Sequence, residues 1–429
     1  MCKKSSILAT NFIHTIFILL SLFSTYYVGV VVATSSPPPS SPPPSSPSPS
    51  SLDESNVQEA TKVIRQFIKG ITSDNCGLSK NLTFTNTTNL CKNSKFGCTP
   101  VPFKDSLKKK DRLYSIQFDG CGITGKNITI DGFIDKLLDV SIFHANSNGF
   151  GGKIPVLSHL PYLFELDLSN NKYNGKFPMN ILGATNLTLL DLGFNSFIGP
   201  VPPGLFNLQL LALFINNNKF EKDLPSNMGS TPAAFLNFAN NKFTGPIPKS
   251  IGQASNTLLE VLFLNNSLSG CLPYEIGLLK KARVFDVSRN SLIGPIPRSF
   301  ACLDKMEYLV LENNEFYGSI PEVVCKLPNL TKLKLSDNYF NQVGTACMKL
   351  IQKGVLDVRQ NCLFGHPNQK DPKTCAEFLN KPKGCSEYEN KMHNYIPCNK
   401  TAEYLDSVMS LERVPQPTPT VTYGKLTTE

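Results

Sequence analysis

The chain contains no tryptophan and only five histidines, and charged residues make up 17% of its 429 positions. It has no H-E-x-x-H, G-x-S-x-G or phosphate-loop spacing, and no pair of cysteines is spaced C-x-x-C. Such patterns place metals, nucleophiles or phosphates in many enzymes. Their absence predicts no catalytic residue, no metal site and no cofactor, so we expect a protein that is not an enzyme.

A repeated pattern is the dominant feature. The stretch LFELDLSNNKYNGKFP, residues 163–178, recurs as L-x-x-L-x-L-x-x-N-x-F-x-G-x-I-P, with a ladder position at Cys121, Asn148, Asn171, Asn195, Asn218, Asn241, Asn266, Asn290, Asn314 and Asn338. Spacings of 23 to 27 residues fall in the range of leucine-rich repeats, in which stacked units bury a common apolar core. The sequence therefore predicts an α/β solenoid: a leucine-rich repeat horseshoe of about ten repeats with disulfide-stabilised caps.

The flanking segments predict a secreted protein. Residues 1–33 begin with Lys3 and Lys4, continue as a long apolar run and end in Val31-Val32-Ala33, which is typical of a cleaved signal peptide, although the run is also long enough for an uncleaved anchor. We expect no other membrane span. Residues 34–51 form a Pro/Ser-rich disordered spacer, 52–112 an amino-terminal cap, 113–341 the repeats, 342–400 a cysteine-rich carboxyl-terminal cap and 401–429 a disordered tail.

Seven N-x-S/T glycosylation sequons also indicate a secreted protein. They lie at Asn81, Asn86, Asn127, Asn186, Asn265, Asn329 and Asn399. The formal charge of +9 becomes +7 without Lys3 and Lys4, and it favours polyanions such as acidic polysaccharide. No basic cluster resembles a nucleic-acid footprint, so we expect no nucleic-acid partner. The sequence leaves a homodimer open.

Twelve cysteines follow the first 33 residues, which predicts disulfides formed in an oxidising compartment. Cys76, Cys91, Cys98 and Cys121 make two local bridges of unspecified connectivity. The carboxyl-terminal cap contains five cysteines, so one of them needs a partner from outside the cap, and Cys325 makes the number even. The five are Cys347, Cys362, Cys375, Cys385 and Cys398. That leaves Cys271 paired with Cys302; in the alternative, Cys302 bridges to Cys325 and Cys271 stays unpaired.

Binding residues are expected on the concave face, at variable positions of each repeat strand. This interpretation gives a surface that is aromatic in its middle and acidic in balance, suited to a basic or amphipathic peptide. The candidate ligand-binding residues are His144, Asp167, Asp191, Phe194, Phe214, Phe235, Phe263, Asp286, Tyr308 and Glu312.

The segments VSIFHANSNGFGGKIP, LSGCLPYEIGLLKKARVFDVSRNSLIGPIP and IPEVVCKLPNL, with the cysteine-bearing cap, resemble the plant leucine-rich repeat extensin family over residues 76–398. The chain is similar to a short relative lacking the carboxyl-terminal extensin tail. Members of that family often have cysteine at the positions of Gly151 and Pro246. The resemblance therefore implies a different disulfide pattern here, in which Cys302 replaces the usual partner of Cys271.

The resemblance implies an apoplastic or wall-associated protein that binds a secreted basic peptide of the rapid alkalinisation factor type. Two other hypotheses are an inhibitor of microbial wall-degrading hydrolases and a structural wall component that binds acidic polysaccharide.

Overall fold

The computed structural model describes residues 56–80, 87–100, 111–126, 128–381 and 384–398. The predicted signal peptide, spacer and tail lie outside these residues, as do the sequons at Asn81, Asn86, Asn127 and Asn399. Among the described residues, no helix combines the length and the apolar character that crossing a bilayer requires.

The amino-terminal cap begins with helix α1 (Asn56–Ile68), followed by β1 (Ile71–Ser73) and α2 (Thr87–Lys92). Val57, Ile64 and Ile68 recur at helical spacing on α1 and are buried against the first repeat. The ring of Phe67 stacks on Phe133 with centroids 4.0 Å apart.

The repeats form one long inner sheet, confirming the predicted solenoid. Its first two strands pair antiparallel and all later neighbours pair parallel. Its twelve strands in the described residues are β2 (Phe96–Pro100), β3 (Asp111–Gln117), β5 (Ile142–His144), β6 (Glu165–Asp167), β8 (Leu189–Asp191), β10 (Ala212–Phe214), β12 (Phe235–Asn237), β14 (Glu260–Leu262), β16 (Val284–Asp286), β18 (Tyr308–Val310), β20 (Lys332–Lys334) and β22 (Leu356–Asp357). The short strand β4 (Thr124–Gly125) pairs with β1 instead.

The ladder asparagines join neighbouring turns. The side-chain nitrogen of Asn171 donates to the carbonyls of Ala145, Leu168 and Ser169, and its oxygen accepts from the backbone nitrogen of Phe150 at 3.0 Å. The same pattern extends to Asn361, one turn beyond Asn338. Each of these amides thus satisfies backbone groups that the tight turn leaves unpaired.

Two shorter sheets flank the inner sheet on one side, where the chain leaves each ladder asparagine. The first contains β7 (Asn174–Lys176), β9 (Ser196–Gly199), β11 (Lys219–Asp223) and β13 (Lys242–Thr244); the second contains β15 (Ser269–Cys271), β17 (Ser291–Gly294), β19 (Glu315–Ile320) and β21 (Tyr339–Val343). Beneath the first sheet, the rings of Tyr173, Phe197, Phe220 and Phe243 stack in a continuous row at about 6 Å.

The outer side of most repeats is a 3₁₀ helix that follows a proline with extended backbone, as at Pro178 and Pro297. These helices are Ile134–Lys136, Met179–Gly183, Pro203–Asn207, Met228–Ser230, Lys249–Ala254, Tyr274–Leu278 and Arg298–Cys302. The last repeats carry α3 (Glu322–Cys325) and α4 (Thr345–Gln352) in this place, and α5 (Pro372–Leu379) and α6 (Glu387–Met392) follow.

Six disulfides join cysteines of the described residues, and both expectations for Cys271 and Cys302 are wrong. Cys271 pairs with Cys385 and Cys302 pairs with Cys398; the others are Cys76–Cys121, Cys91–Cys98, Cys325–Cys347 and Cys362–Cys375. The reason is that residues 384–398 turn back along the outer side of the repeats instead of continuing beyond the last turn. The backbone nitrogen of Arg298 donates to the carbonyl of His393 at 3.0 Å along this return path. The two local bridges predicted in the amino-terminal cap are confirmed.

Candidate ligand-binding face

The concave face consists of the first and third residues of each inner strand, with the turn residues that follow, because the middle residue points into the core. The predicted residues fall on it with one exception. Phe263 is fully buried, and Leu262 occupies the equivalent surface position, in register with Asn237 and Asp286. The repeat takes Leu258, Val261 and Phe263 as its three core residues, so the aromatic ring belongs to the apolar frame.

The amino-terminal part of the face is a hydrogen-bonded polar cluster. His144 Nε2 lies 2.8 Å from Glu165 Oε2, and Asn146 donates to Asp119 at 2.5 Å and to Asp167 at 3.0 Å. Burial lowers the pKa of His144, but the Glu165 hydrogen bond and the nearby carboxylates raise it more, so the net pKa lies above the usual histidine value. The hydrogen bond to Glu165 and the nearby carboxylates therefore favour the protonated form of His144 more than water does.

The two central aspartates are not the exposed charges that we expected. Asp167 and Asp191 are only 2% and 7% exposed. Asp167 accepts from the backbone nitrogen of Ser169, and Asp191 from that of Gly193, so each short side chain folds back to cap its own turn. Burial and the adjacent Asp167 carboxylate raise the pKa of Asp191 well above its ordinary value. Asp286 makes the same contact to Ser288, and burial raises its pKa to about 6.

Aromatic side chains cross the middle of the face. Phe214 and Phe235 are half-buried, and Phe194 is 48% exposed. Phe235 pairs with Ala212, which lies two residues before Phe214 on the neighbouring strand. The backbone nitrogen of Phe194 donates to the carbonyl of Asn216, which lies two residues after Phe214. The three residues therefore form an oblique line over three consecutive turns, which we call the aromatic strip.

Phe194 has an unusual backbone conformation for its residue type. Its φ is 53°, and asparagine fills this left-handed position in several other turns, including Asn170, Asn217, Asn240 and Asn313. Asparagine tolerates this region better than bulky residues do. An aromatic residue is thus held at an unfavourable backbone position with nearly half of its side chain in solvent.

The carboxyl-terminal part of the face has paired charges. Arg283 lies 3.5 Å from Glu307, and Lys334 lies 3.7 Å from Glu312. Burial raises the pKa of Glu260 to about 7, and the neighbouring Glu307 carboxylate adds to this effect. Tyr308 is half-buried between Val284 and Lys332. The face is therefore less acidic than its sequence predicts, because several carboxylates are paired with cations or have raised pKa values.

Comparison with known proteins agrees with this architecture. Residues 186–208 match the Leucine Rich Repeat family, and the chain is a leucine-rich repeat solenoid. It is 52% identical over 183 residues to leucine-rich repeat extensin-like protein 6 of Arabidopsis thaliana, a match covering 42% of this chain and 38% of that protein. It is 33% identical over 208 residues to extensin-like protein 2 of the same plant, covering 47% of this chain and 25% of that protein. The predicted family resemblance is confirmed, and the chain spans about a quarter to two fifths of these relatives.

Solved structures with a similar fold include plant receptors. A TDR receptor is 32% identical with a TM-score of 0.51, covering 53% of this chain and 40% of that one. The Arabidopsis receptor kinase HAESA, solved with the peptide hormone IDA and the co-receptor SERK1, is 29% identical with a TM-score of 0.50, covering 56% and 40%. Repeats, disulfides and relatives together indicate an extracellular leucine-rich repeat protein of the plant type.

Proposed function

We propose that the protein is a secreted, non-enzymatic binding protein of the plant cell wall that recognises a basic signalling peptide on its concave face. The aromatic strip is the observation that carries this proposal. With strands about 4.8 Å apart and about 3.3 Å per residue, the strip is roughly 15 to 20 Å long, which matches an extended segment of about five or six residues.

The strip has the properties of a binding anchor. Aromatic side chains dominate the energetics of many interfaces, and backbone strain persists where a structure is organised for function. Phe194 combines exposure with a left-handed backbone, although asparagine would serve the fold at that position. The HAESA structure, which contains a peptide hormone, supports the same use of a related solenoid.

Charge on both sides of the strip favours a basic ligand. Glu260 lies beside Phe235 in register, and Glu165, which contacts His144, lies toward the other end. A cationic ligand stabilises the ionised form of a carboxyl group such as Glu260, whose pKa burial raises to about 7. Binding should therefore release protons at mildly acidic pH. The other candidate residues His144 and Glu312 lie toward the two ends of the same face.

The test uses substitutions that the repeat frame already accepts. Phe194→Asn installs the residue of neighbouring turns, and Phe214→Asn installs the residue that Asn237 provides on the next strand. We expect the double variant to bind a synthetic basic cysteine-rich peptide of the rapid alkalinisation factor type at least about tenfold more weakly by calorimetry. Its thermal midpoint should stay within a few degrees of the wild type, because the strain that Phe194→Asn relieves offsets the buried apolar surface that Phe214→Asn removes.

Phe364→Asn is the matched control, since Phe364 is 94% exposed on the carboxyl-terminal cap, away from the strip. Equal binding by the wild type and the double variant contradicts the proposal, as does an equal loss in the control. Failure of the wild type to bind the peptide rules out this ligand class.

A further inference from the structure

The surface of the first lateral sheet, β7–β9–β11–β13, and the preceding turns is strongly basic. In each repeat between residues 122 and 246, a short segment follows the ladder position. Together these segments contain seven exposed lysines, and their only acidic residues are Glu221 and Asp223. The lysines, which we call the lysine face, are Lys126, Lys153, Lys172, Lys176, Lys219, Lys222 and Lys242. The equivalent segments of the next four repeats contain a single charged residue, Glu315. The positive charge is thus confined to one half of the lateral side.

Strand register arranges the centre of this surface. Lys176 pairs with Ile198, and Ile198 pairs with Lys219 on the next strand. Parallel strands are about 4.8 Å apart, so the backbones of the two lysines are about 10 Å apart. Ile198 between them is 45% exposed. The result is an apolar contact point between two flexible cations.

The lysine face is not neutralised by neighbouring acids. Within the part of the chain that the structure describes, none of the seven lysines has a carboxylate within 4.0 Å. Glu221 is opposite Lys242 across the strands without forming such a pair, and Asp223 accepts a hydrogen bond from the Thr244 hydroxyl at 2.8 Å. The sequons at Asn186, Asn265 and Asn329 lie outside the four strands, so their glycans would not start from this sheet.

Lys222 adds a conformational observation. Its φ is 73°, in the position that Gly152, Gly175, Gly199 and Gly245 fill in other repeats. A lysine is less favourable than glycine in the left-handed region, because its Cβ approaches a backbone carbonyl oxygen. This repeat therefore has an exposed lysine, Lys222, at the position where those other repeats have glycine.

We propose that the lysine face binds a linear polyanion, an acidic polysaccharide whose strand lies across β7, β9 and β11. Carboxylates along the strand would pair with the lysine ammonium groups, and the apolar face of a sugar ring would contact Ile198. Six disulfides place the protein in an oxidising compartment, where a carboxylated glycan is a more accessible polyanion than a nucleic acid. This surface is separate from the concave face, so the inference does not depend on the proposed peptide function.

Binding to soluble polygalacturonate, measured at low and high salt, tests the proposal. The variant Lys176→Gln/Lys219→Gln/Lys242→Gln should lose about tenfold in affinity, since each exposed ion pair contributes modestly. The control Lys280→Gln/Lys281→Gln/Lys305→Gln removes the same charge from exposed lysines elsewhere and should bind as the wild type does. Fully methyl-esterified polygalacturonate should not bind, and affinity for the acidic polymer should fall steeply with salt.

A second substitution examines the apolar contact. Ile198→Ser leaves the charge unchanged and should weaken polygalacturonate binding while leaving the thermal midpoint within a few degrees. Equal losses in both triple variants, or equal affinity for a DNA oligonucleotide of matched charge, would overturn the proposal, because either result reduces the interaction to net charge. No binding by the wild type at low salt overturns it directly.

Discussion

At the scale of single residues, the repeat frame predicts scaffold roles better than surface roles. Asn171 lies at a ladder position of the frame, and both of its side-chain polar atoms bond to the neighbouring turn. Asp167 and Asp191 were expected to face a ligand, yet each caps its own turn and is buried. Spacing shows which side of a strand a residue occupies, but not whether a short polar side chain folds back onto the backbone.

Replacing a ladder asparagine should strongly destabilise the fold. Asn218 is 8% exposed, donates to the carbonyls of Leu192, Ile215 and Asn216, and accepts from the backbone nitrogen of Phe197. Asn218→Ala leaves these buried groups unpaired, so we expect a loss of about 2 to 4 kcal/mol in the free energy of unfolding. Denaturant unfolding measures it, with Gln209→Ala at an exposed position as the control. A loss below about 1 kcal/mol would show that water replaces the amide.

At the scale of elements, strand register is predictable wherever the frame is regular. The error at Phe263 arose in the turn where Asn266 follows Asn241 by 25 residues, because two apolar patterns one residue apart both fit Leu258–Leu264. Pairing of Val261 with Leu236 and Phe285 selects the pattern that buries Phe263. A shift of one residue reverses every side chain, so only contact with the neighbouring turns decides the choice.

The returning carboxyl-terminal segment was not predictable, because cysteine number does not determine connectivity. Cys271 and Cys385 are 114 residues apart in sequence, and the bridge places α6 against the repeats. There the hydroxyl of Tyr388 lies 3.1 Å from Glu275 Oε1, to which it donates, and the ring of Tyr274 lies 5.5 Å from that of Tyr395. Two bridges and this small cluster hold the segment on the outer side.

Loss of the long bridge should cost more than loss of a local one. The bridges Cys271–Cys385 and Cys362–Cys375 close loops of 114 and 13 residues. Because Cys302–Cys398 already shortens the larger loop, we expect Cys271→Ser/Cys385→Ser to cost only about 1 kcal/mol more than Cys362→Ser/Cys375→Ser. Thermal unfolding compares the two, and limited proteolysis should cut residues 384–398 only in the first variant. Equal proteolytic resistance would mean that the tyrosine contacts hold the segment without the bridge.

At the scale of the whole molecule, the solenoid places different kinds of side chain on different surfaces. The core and ladder specify the stack, the concave face gathers aromatic and titratable side chains, and the lateral sheet gathers lysines. Stacking also brings like charges into register, as at Asp167 and Asp191. Repetition therefore creates buried carboxyl groups with raised pKa values, which a single repeat considered alone does not reveal.

These carboxyl groups should make stability depend on pH. Burial raises the pKa of Asp286 to about 6, so this group binds its proton more tightly in the folded than in the unfolded chain. Its stabilising contribution is complete below the unfolded pKa of about 4 and is lost as pH rises through about 6. Between about pH 4 and about pH 8 the loss is about 3 kcal/mol. Asp286→Asn keeps an acceptor for Ser288 and removes the titration, so its stability relative to the wild type should increase over this range.

Asp357 provides a control of opposite sign. The Arg359 side chain, 2.9 Å from Asp357 Oδ1, lowers the pKa of Asp357, so its contribution is present above the unfolded pKa and is lost on acidification. Asp357→Asn should therefore lose stability relative to the wild type as pH rises. Thermal midpoints of the three proteins across the range test both signs in one experiment. Parallel curves for Asp286→Asn and the wild type would show that Asp286 titrates normally in the folded protein, and that its burial does not keep the concave face protonated at mildly acidic pH.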